Sequence, residues 1–196
     1  MKATLLLGTL KKTELSNTET LSGFLADRMK RKGIDCETIK LANHVIPSGT
    51  HSDMGDDDEW PEILKKVLAS DIVIFATPIW WSNASSLTQR VVERLDEIHD
   101  KILAGETSPF EGKTAGIVIT GDSDGAQHII GSLCNFCNAI GLLVPPYATL
   151  SVLWERQAKS AHPGKDELLR KYEADHAATA DKMIEQLIRF SSSEDR

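Results

Sequence analysis

The heptapeptide DIVIFAT, residues 71–77, is the best candidate for a fully buried strand in the sequence, and it runs directly into PIWWSNASS, residues 78–86. A short apolar run bounded by a turn signal suits a strand covered on both faces. Beyond the turn, Leu87, Val91, Leu95 and Ile98 recur at helical spacing. Strand gives way to helix, and the same alternation extends in both directions. Upstream, residues 3–8 read as a short apolar strand and residues 17–32 as a helix with Leu21, Phe24, Leu25 and Met29 on one face. Residues 34–41 are a more polar, partly alternating strand suited to a sheet edge. Residues 44–59 read as loop, with Pro47, Gly49 and Gly55, and their acidic run DDDE at 56–59 reads as solvated; a helix follows over 61–69. Downstream, residues 114–121 are another apolar strand, 126–140 a helix, 142–148 a fifth strand and 166–190 a final helix. The connection 149–165, carrying Trp154, Pro163 and Gly164, is unusually long, and SSSEDR at 191–196 is expected to fray.

Five strands alternating with helices predict a doubly wound α/β fold: a five-stranded parallel sheet between two helical layers, because each right-handed crossover lays a helix back on the sheet. A chain of 196 residues, 41% hydrophobic and 26% charged, suits one sizeable core, so residues 1–190 are expected to form a single domain. The net charge of −7, with no basic stripe interleaved with aromatics, argues against a nucleic-acid partner. No apolar run approaches a membrane span, and the stretch at residues 3–7 is too short for a secretory signal. Three cysteines, an odd number, make no disulfide framework and point to the cytoplasm. Cys134 and Cys137 form C-x-x-C inside a helix and read as buried structural thiols. The six histidines show no metal-ligand spacing.

In an open parallel sheet, ligands sit beyond the carboxyl ends of the strands, where strand order reverses. Three loops there carry chemistry. GTLKKTELSNT after the first strand has neither the G-x-G-x-x-G nor the G-x-x-x-x-G-K-[ST] fingerprint. It offers instead the hydroxyls of Thr9, Ser16 and Thr18, the Asn17 amide, the Lys11 charge and a helix N-terminus, a donor set for phosphate. Ser16 and Glu19 also spell a helix capping box, which many helices carry for stability alone. In the second loop Pro78 stiffens the strand exit and Trp80-Trp81 stand where polar residues are usual. Both indoles cannot easily point inward, so at least one is available to a flat ligand or a partner chain. In the third loop Gly121 and Gly125 bracket Asp122-Ser123-Asp124, which allows close backbone approach to a ligand and equally suits an ordinary turn.

Together the hydroxyl-rich first loop, TPIWWSNASSLTQRVVERL at 77–95 and TGDSDGAQHII at 120–130 resemble the flavodoxin-like NAD(P)H-dependent oxidoreductases. That group contains the NADPH-dependent FMN reductases and the quinone reductases similar to tryptophan-repressor-binding protein. The likeness covers residues 2–147. It implies FMN as cofactor, with Thr9, Lys11, Ser16, Asn17 and Thr18 at its phosphate. Pro78, Ile79, Trp80, Trp81, Ser82 and Asn83 would lie along its ribityl chain and ring, and Thr120, Gly121, Asp122 and Gly125 would meet the ring. It further implies NAD(P)H as co-substrate, a quinone or similar small acceptor, no catalytic side chain, and a homodimer or higher homo-oligomer with Trp154 as a candidate contact. The stretch from Leu10 to Leu15 departs from the compact Ser/Arg/Ser pattern common in that group, and the tryptophan pair is bulkier than usual. Two alternatives share the fold: a flavodoxin-type electron carrier, and a cofactor-free binding or regulatory module.

Overall fold

The computed structural model describes residues 1–155 and 163–191. Five strands form one parallel sheet: β1 (Lys2–Leu7), β2 (Asp35–Lys40), β3 (Ile72–Pro78), β4 (Thr114–Gly121) and β5 (Thr149–Leu153), in the order β2-β1-β3-β4-β5. This is the flavodoxin-like order, with its reversal between β1 and β3. The helices are α1 (Asn17–Arg31), α2 (Trp60–Leu68), α3 (Ser86–Arg94), α4 (Asp96–Leu103), α5 (Ala126–Ala139) and α6 (Lys165–Phe190). Two cores flank the sheet. Leu6, Val73, Phe75 and Ile117 face Trp60, Val91, Leu133 and Cys137 on one side. On the other side Leu5, Ile74, Val118 and Leu150 face Leu21, Leu25, Tyr172 and Met183. The central strand β3 is buried through its first six residues, whereas the edge strand β2 is mostly open, as its mixed composition predicts.

Three expectations need correction. The fifth strand is Thr149–Leu153, not 142–148. Pro145 and Pro146 have no N–H for a ladder and Tyr147 turns at φ +65°, so pairing with β4 starts only at Ile117–Thr149, with one isolated bridge at Leu143. The periodic run after β3 is two helices joined at Leu95, because the Glu97 N–H donates to the Thr50 carbonyl (3.2 Å) instead of continuing the helical ladder. The acidic run is not simply solvated. The Asp58 side chain is fully enclosed, bonded to Arg94 (Oδ2 to Nη2, 2.5 Å), whose Nε also donates to the His51 carbonyl (2.7 Å).

Of the long connection, residues 156–162 lie outside the described residues, as do 192–196 of the expected frayed tail. Trp154 packs on its own chain, with the Lys171 ammonium 4.8 Å from its ring centre. Cys134 and Cys137 are unpaired thiols on α5. Burial pushes Cys137 up to about 12, and also raises Cys134, which keeps both in the unreactive thiol form. No described helix is long and apolar enough to cross a membrane.

Candidate functional site

The loops after β1, β3 and β4 meet at the carboxyl edge of the sheet around a cleft of about 870 Å³, within the range of small-molecule and cofactor sites. Thr9, Leu10, Lys11, Ser16, Asn17 and Thr18 line it from the first loop. Pro78, Ile79, Trp80, Trp81 and Ser82 line it from the second, and Thr120, Gly121, Asp122 and Asp124 from the third.

The first loop is closed on itself by hydroxyls. Thr9 Oγ1 and Ser16 Oγ lie 2.8 Å apart, and Ser16 Oγ caps α1 by accepting the Glu19 N–H (3.2 Å). Lys11 Nζ donates to the Leu15 carbonyl (2.8 Å). Lys40, at the end of β2, donates to the Lys12 carbonyl (2.8 Å) and the Glu19 carboxylate (2.7 Å). The cap residue Glu19 is therefore paired with a cation, which offsets its repulsion of an anion at the helix start. Beneath the loop, Gly8 accepts from Ser85 Oγ (2.6 Å), and a Cβ there would come within 2.0 Å of Thr88 Oγ1. Only glycine lets the first loop settle against α3.

The second loop is a tight hairpin. Trp80 and Asn83 exchange both backbone hydrogen bonds at 2.9 Å, with Trp81 at φ +49° and Ser82 at φ +62°, the pattern of a type I′ turn. Asn83 Nδ2 donates to the Trp81 carbonyl (2.8 Å), so this side chain holds the turn rather than lining the cleft. Both indoles face outward: Trp80 is 52% and Trp81 93% exposed.

The third loop is fastened to the other two. Thr18 and Thr120 hydroxyls lie 2.6 Å apart in a buried contact, and the Ile79 N–H donates to the Thr120 carbonyl (2.9 Å). A Cβ at Gly121 would meet Ile79 Cδ1 at 2.6 Å. Gly125, at φ +92°, caps α5 so closely that a Cβ would sit 2.7 Å from Ser82 Cα. Gly125 thus shapes the cleft without lining it. Sequence reasoning overlooked Leu10 and Asp124 as lining residues, and also the supports Gly8, Ser85, Thr88 and Lys40. A glycine at a strand exit was the available signal for Gly8; the others act across long sequence separations.

The arrangement offers hydroxyls, one lysine and a helix N-terminus from the first loop, and aromatic faces with close backbone approach from the second and third. Such a donor set suits a phosphorylated, planar molecule. The model of the family described as NADPH-dependent FMN reductase matches residues 1–153. The chain belongs to that family. FMN as cofactor comes with it. The 8-demethyl-8-aminoriboflavin-5'-phosphate synthase of Streptomyces davaonensis is 31% identical over 76% of this chain and 62% of that protein. The divalent metal cation transporter MntH of Mycobacterium bovis is 30% identical over 76% of this chain, but the match occupies only 22% of that protein. The chain therefore spans less than two thirds of either curated relative. The crystal structure of RosB with the bound intermediate 8-demethyl-8-formylriboflavin-5'-phosphate superposes with a TM-score of 0.74 at 26% identity, over 97% of this chain and 77% of that one.

Proposed function

We propose that this reductase-family chain holds FMN in the cleft and transfers reducing equivalents from NAD(P)H to a quinone or similar small acceptor. Bound FMN supplies hydride acceptance from the nicotinamide and two-electron delivery to the acceptor; the protein supplies placement and electrostatics. The observation that carries the reading is one cleft built jointly by all three loops, lined by hydroxyls and a lysine from the first loop and exposed indoles from the second.

In this reading Thr9, Lys11, Ser16, Asn17 and Thr18 hold the phosphate. The α1 N-terminus contributes roughly 0.3–1 kcal/mol when exposed and up to ~2 when partly buried. Hydrogen bonds to the charged phosphate add about 1.5–3 kcal/mol each, so the hydroxyls supply most of the grip. Pro78, Ile79, Trp80, Trp81 and Ser82 wall the ribityl chain and ring, and Thr120, Gly121 and Asp122 meet the ring edge. Asn83 holds its own turn, and Gly125 lets the third loop close against it. Backbone N–H groups of the 121–125 loop are the groups available to stabilise negative charge on the reduced ring. No side chain acts as acid or base. A homodimer and a cytoplasmic setting belong to the same reading; the three unpaired thiols support the latter, and light scattering tests the former.

Steady-state oxidation of NADPH or NADH by the FMN-loaded protein with 2-methyl-1,4-naphthoquinone tests the proposal. Parallel double-reciprocal lines, the mark of ping-pong turnover, support it. An FMN-loaded chain that oxidises neither nucleotide contradicts it and favours the electron-carrier alternative.

A second reading treats flavin phosphate as substrate rather than resident cofactor. It is favoured by the 26–31% identity to RosB and to the aminoriboflavin phosphate synthase, against 14–19% for the other similar folds. Mass analysis of FMN recovered after turnover separates the two: an unaltered mass supports the cofactor reading, and a changed mass the substrate reading.

A further inference from the structure

One cation reaches the hydroxyl-rich loop from a strand that contributes nothing to the cleft lining. Lys40 ends the edge strand β2, in register with Leu7, the last residue of β1. Its side chain is only 14% exposed, and its ammonium donates to the Lys12 carbonyl (2.8 Å) and to Glu19 Oε2 (2.7 Å). Glu19 stands at the third position of α1, where a capping-box carboxylate would turn back to the N–H of Ser16. Here Ser16 Oγ accepts the Glu19 N–H, while the Glu19 carboxylate goes to Lys40. Lys11, the lysine that does line the cleft, gives its ammonium to the Leu15 carbonyl instead.

A helix N-terminus favours an anion, and a carboxylate in its first turn competes for the same field. A phosphate monoester carries roughly −1.5 to −2 charges at neutral pH, so it feels that carboxylate strongly. With Glu19 unpaired, its charge would cancel that of Lys11 and leave the seat neutral; with Lys40 on Glu19 the seat is cationic. We propose that Lys40 is a positioning residue for phosphate selectivity: by pairing Glu19 it makes the cleft prefer a flavin that carries a phosphate monoester over the unphosphorylated flavin. This rests on the flavin reading above. Lys40 acts through Glu19, and its bond to the Lys12 carbonyl keeps the ammonium over the loop. Riboflavin has the same ring and ribityl chain and lacks only the phosphate, so its binding does not depend on this pair.

The test is titration of the flavin-free protein with FMN and, separately, with riboflavin, each read by quenching of flavin fluorescence. Lys40→Met is expected to weaken FMN about tenfold at low salt and to leave riboflavin within about twofold, with the difference shrinking as salt rises. Lys40→Arg, which keeps the charge, should retain most of the preference. The double variant Lys40→Met with Glu19→Gln should recover most of the FMN affinity, although it too lacks the bond to the Lys12 carbonyl, which separates the charge from the tether. Glu19→Gln alone keeps the Ser16 cap on the residue 19 N–H and should tighten FMN about threefold; this variant carries the test if Lys40→Met fails to fold. An equal loss for both flavins in Lys40→Met, no recovery in the double variant, or weaker FMN binding in Glu19→Gln overturns the proposal. A wild-type chain that takes up no FMN removes the functional reading and this inference with it. A chain that holds FMN while these variants leave the FMN-to-riboflavin ratio unchanged removes this inference alone.

Discussion

Residues 44–59, which follow β2, carry five carboxylates and enclose one of them completely; residues 79–85, which follow β3, carry two tryptophans and leave both largely outside. The two loops lie at the same edge of the sheet and invert what their compositions suggest. In the acidic loop every buried polar contact is answered. Arg94 reaches Asp58 and the His51 and Pro47 carbonyls, Arg90 the Ile46 carbonyl (2.7 Å), and Glu97 the Ser52 N–H (2.5 Å). In the tryptophan loop the turn is fixed by its own backbone hydrogen bonds and the two indoles are left largely exposed. The acidic loop is finished by folding, and the tryptophan loop is the one that the proposed function completes with a ligand.

The largest break in this contrast comes from the buried ion pair. Replacing Arg94 with Met strands Asp58 as an uncompensated buried charge, with an expected loss of about 3–5 kcal/mol in chemical denaturation. Little or no destabilisation would mean that the acidic loop is not held as described. Next comes the seam between the second and third loops. Gly125→Ala adds a Cβ 2.7 Å from Ser82 Cα in a left-handed backbone. It should cost about 1–3 kcal/mol and weaken FMN binding about tenfold, read by flavin fluorescence quenching. Trp81→Asn works in the opposite direction. It relieves a side chain held at φ +49° and should raise stability by about 1 kcal/mol, whereas every change at Asp58 or Arg94 lowers it.

The smallest effect, between about pH 4.5 and 2, sharpens the comparison through protonation. Hydrogen bonds from Lys101 and the Ser52 amide hold Glu97 down at about 2. Burial pushes Asp58 up, but its bonds from Arg94 and the Trp60 and Met54 amides outweigh this and leave it below its ordinary value. A depressed carboxylate stabilises the fold above its unfolded value, about 4 to 4.5, and loses that contribution as pH falls toward its folded value. Acid should therefore loosen residues 44–59. The emission of Trp60, fully buried and 5.9 Å from Arg94, should shift to the red as pH drops below about 4.5, while the already exposed Trp81 changes little.

Periodicity and run length made the alternation of strands and helices legible, because those patterns are local. The fifth strand slipped because two prolines and a positive φ at Tyr147 displaced the ladder by several residues, although the apolar run began earlier. The split at Leu95 was hidden because its cause, the Thr50 carbonyl, lies far away in sequence. Of the cleft, hydroxyls, indoles and glycines in strand-exit loops were readable as types in the right places. Asn83 was assigned to a ligand because nothing in its composition distinguishes a side chain that faces a cleft from one that ties its own turn. Asp58 misled for a similar reason: its partner sits 36 residues away, on a helix whose polar residues look like an exposed face.

The visible absorbance spectrum of the purified protein, recorded after equilibration with FMN and removal of the excess, tests the central claim most directly. The account predicts flavin bands at one equivalent per chain that bleach on adding NADPH or NADH without oxygen and return with a quinone. A colourless protein that retains no FMN would contradict it.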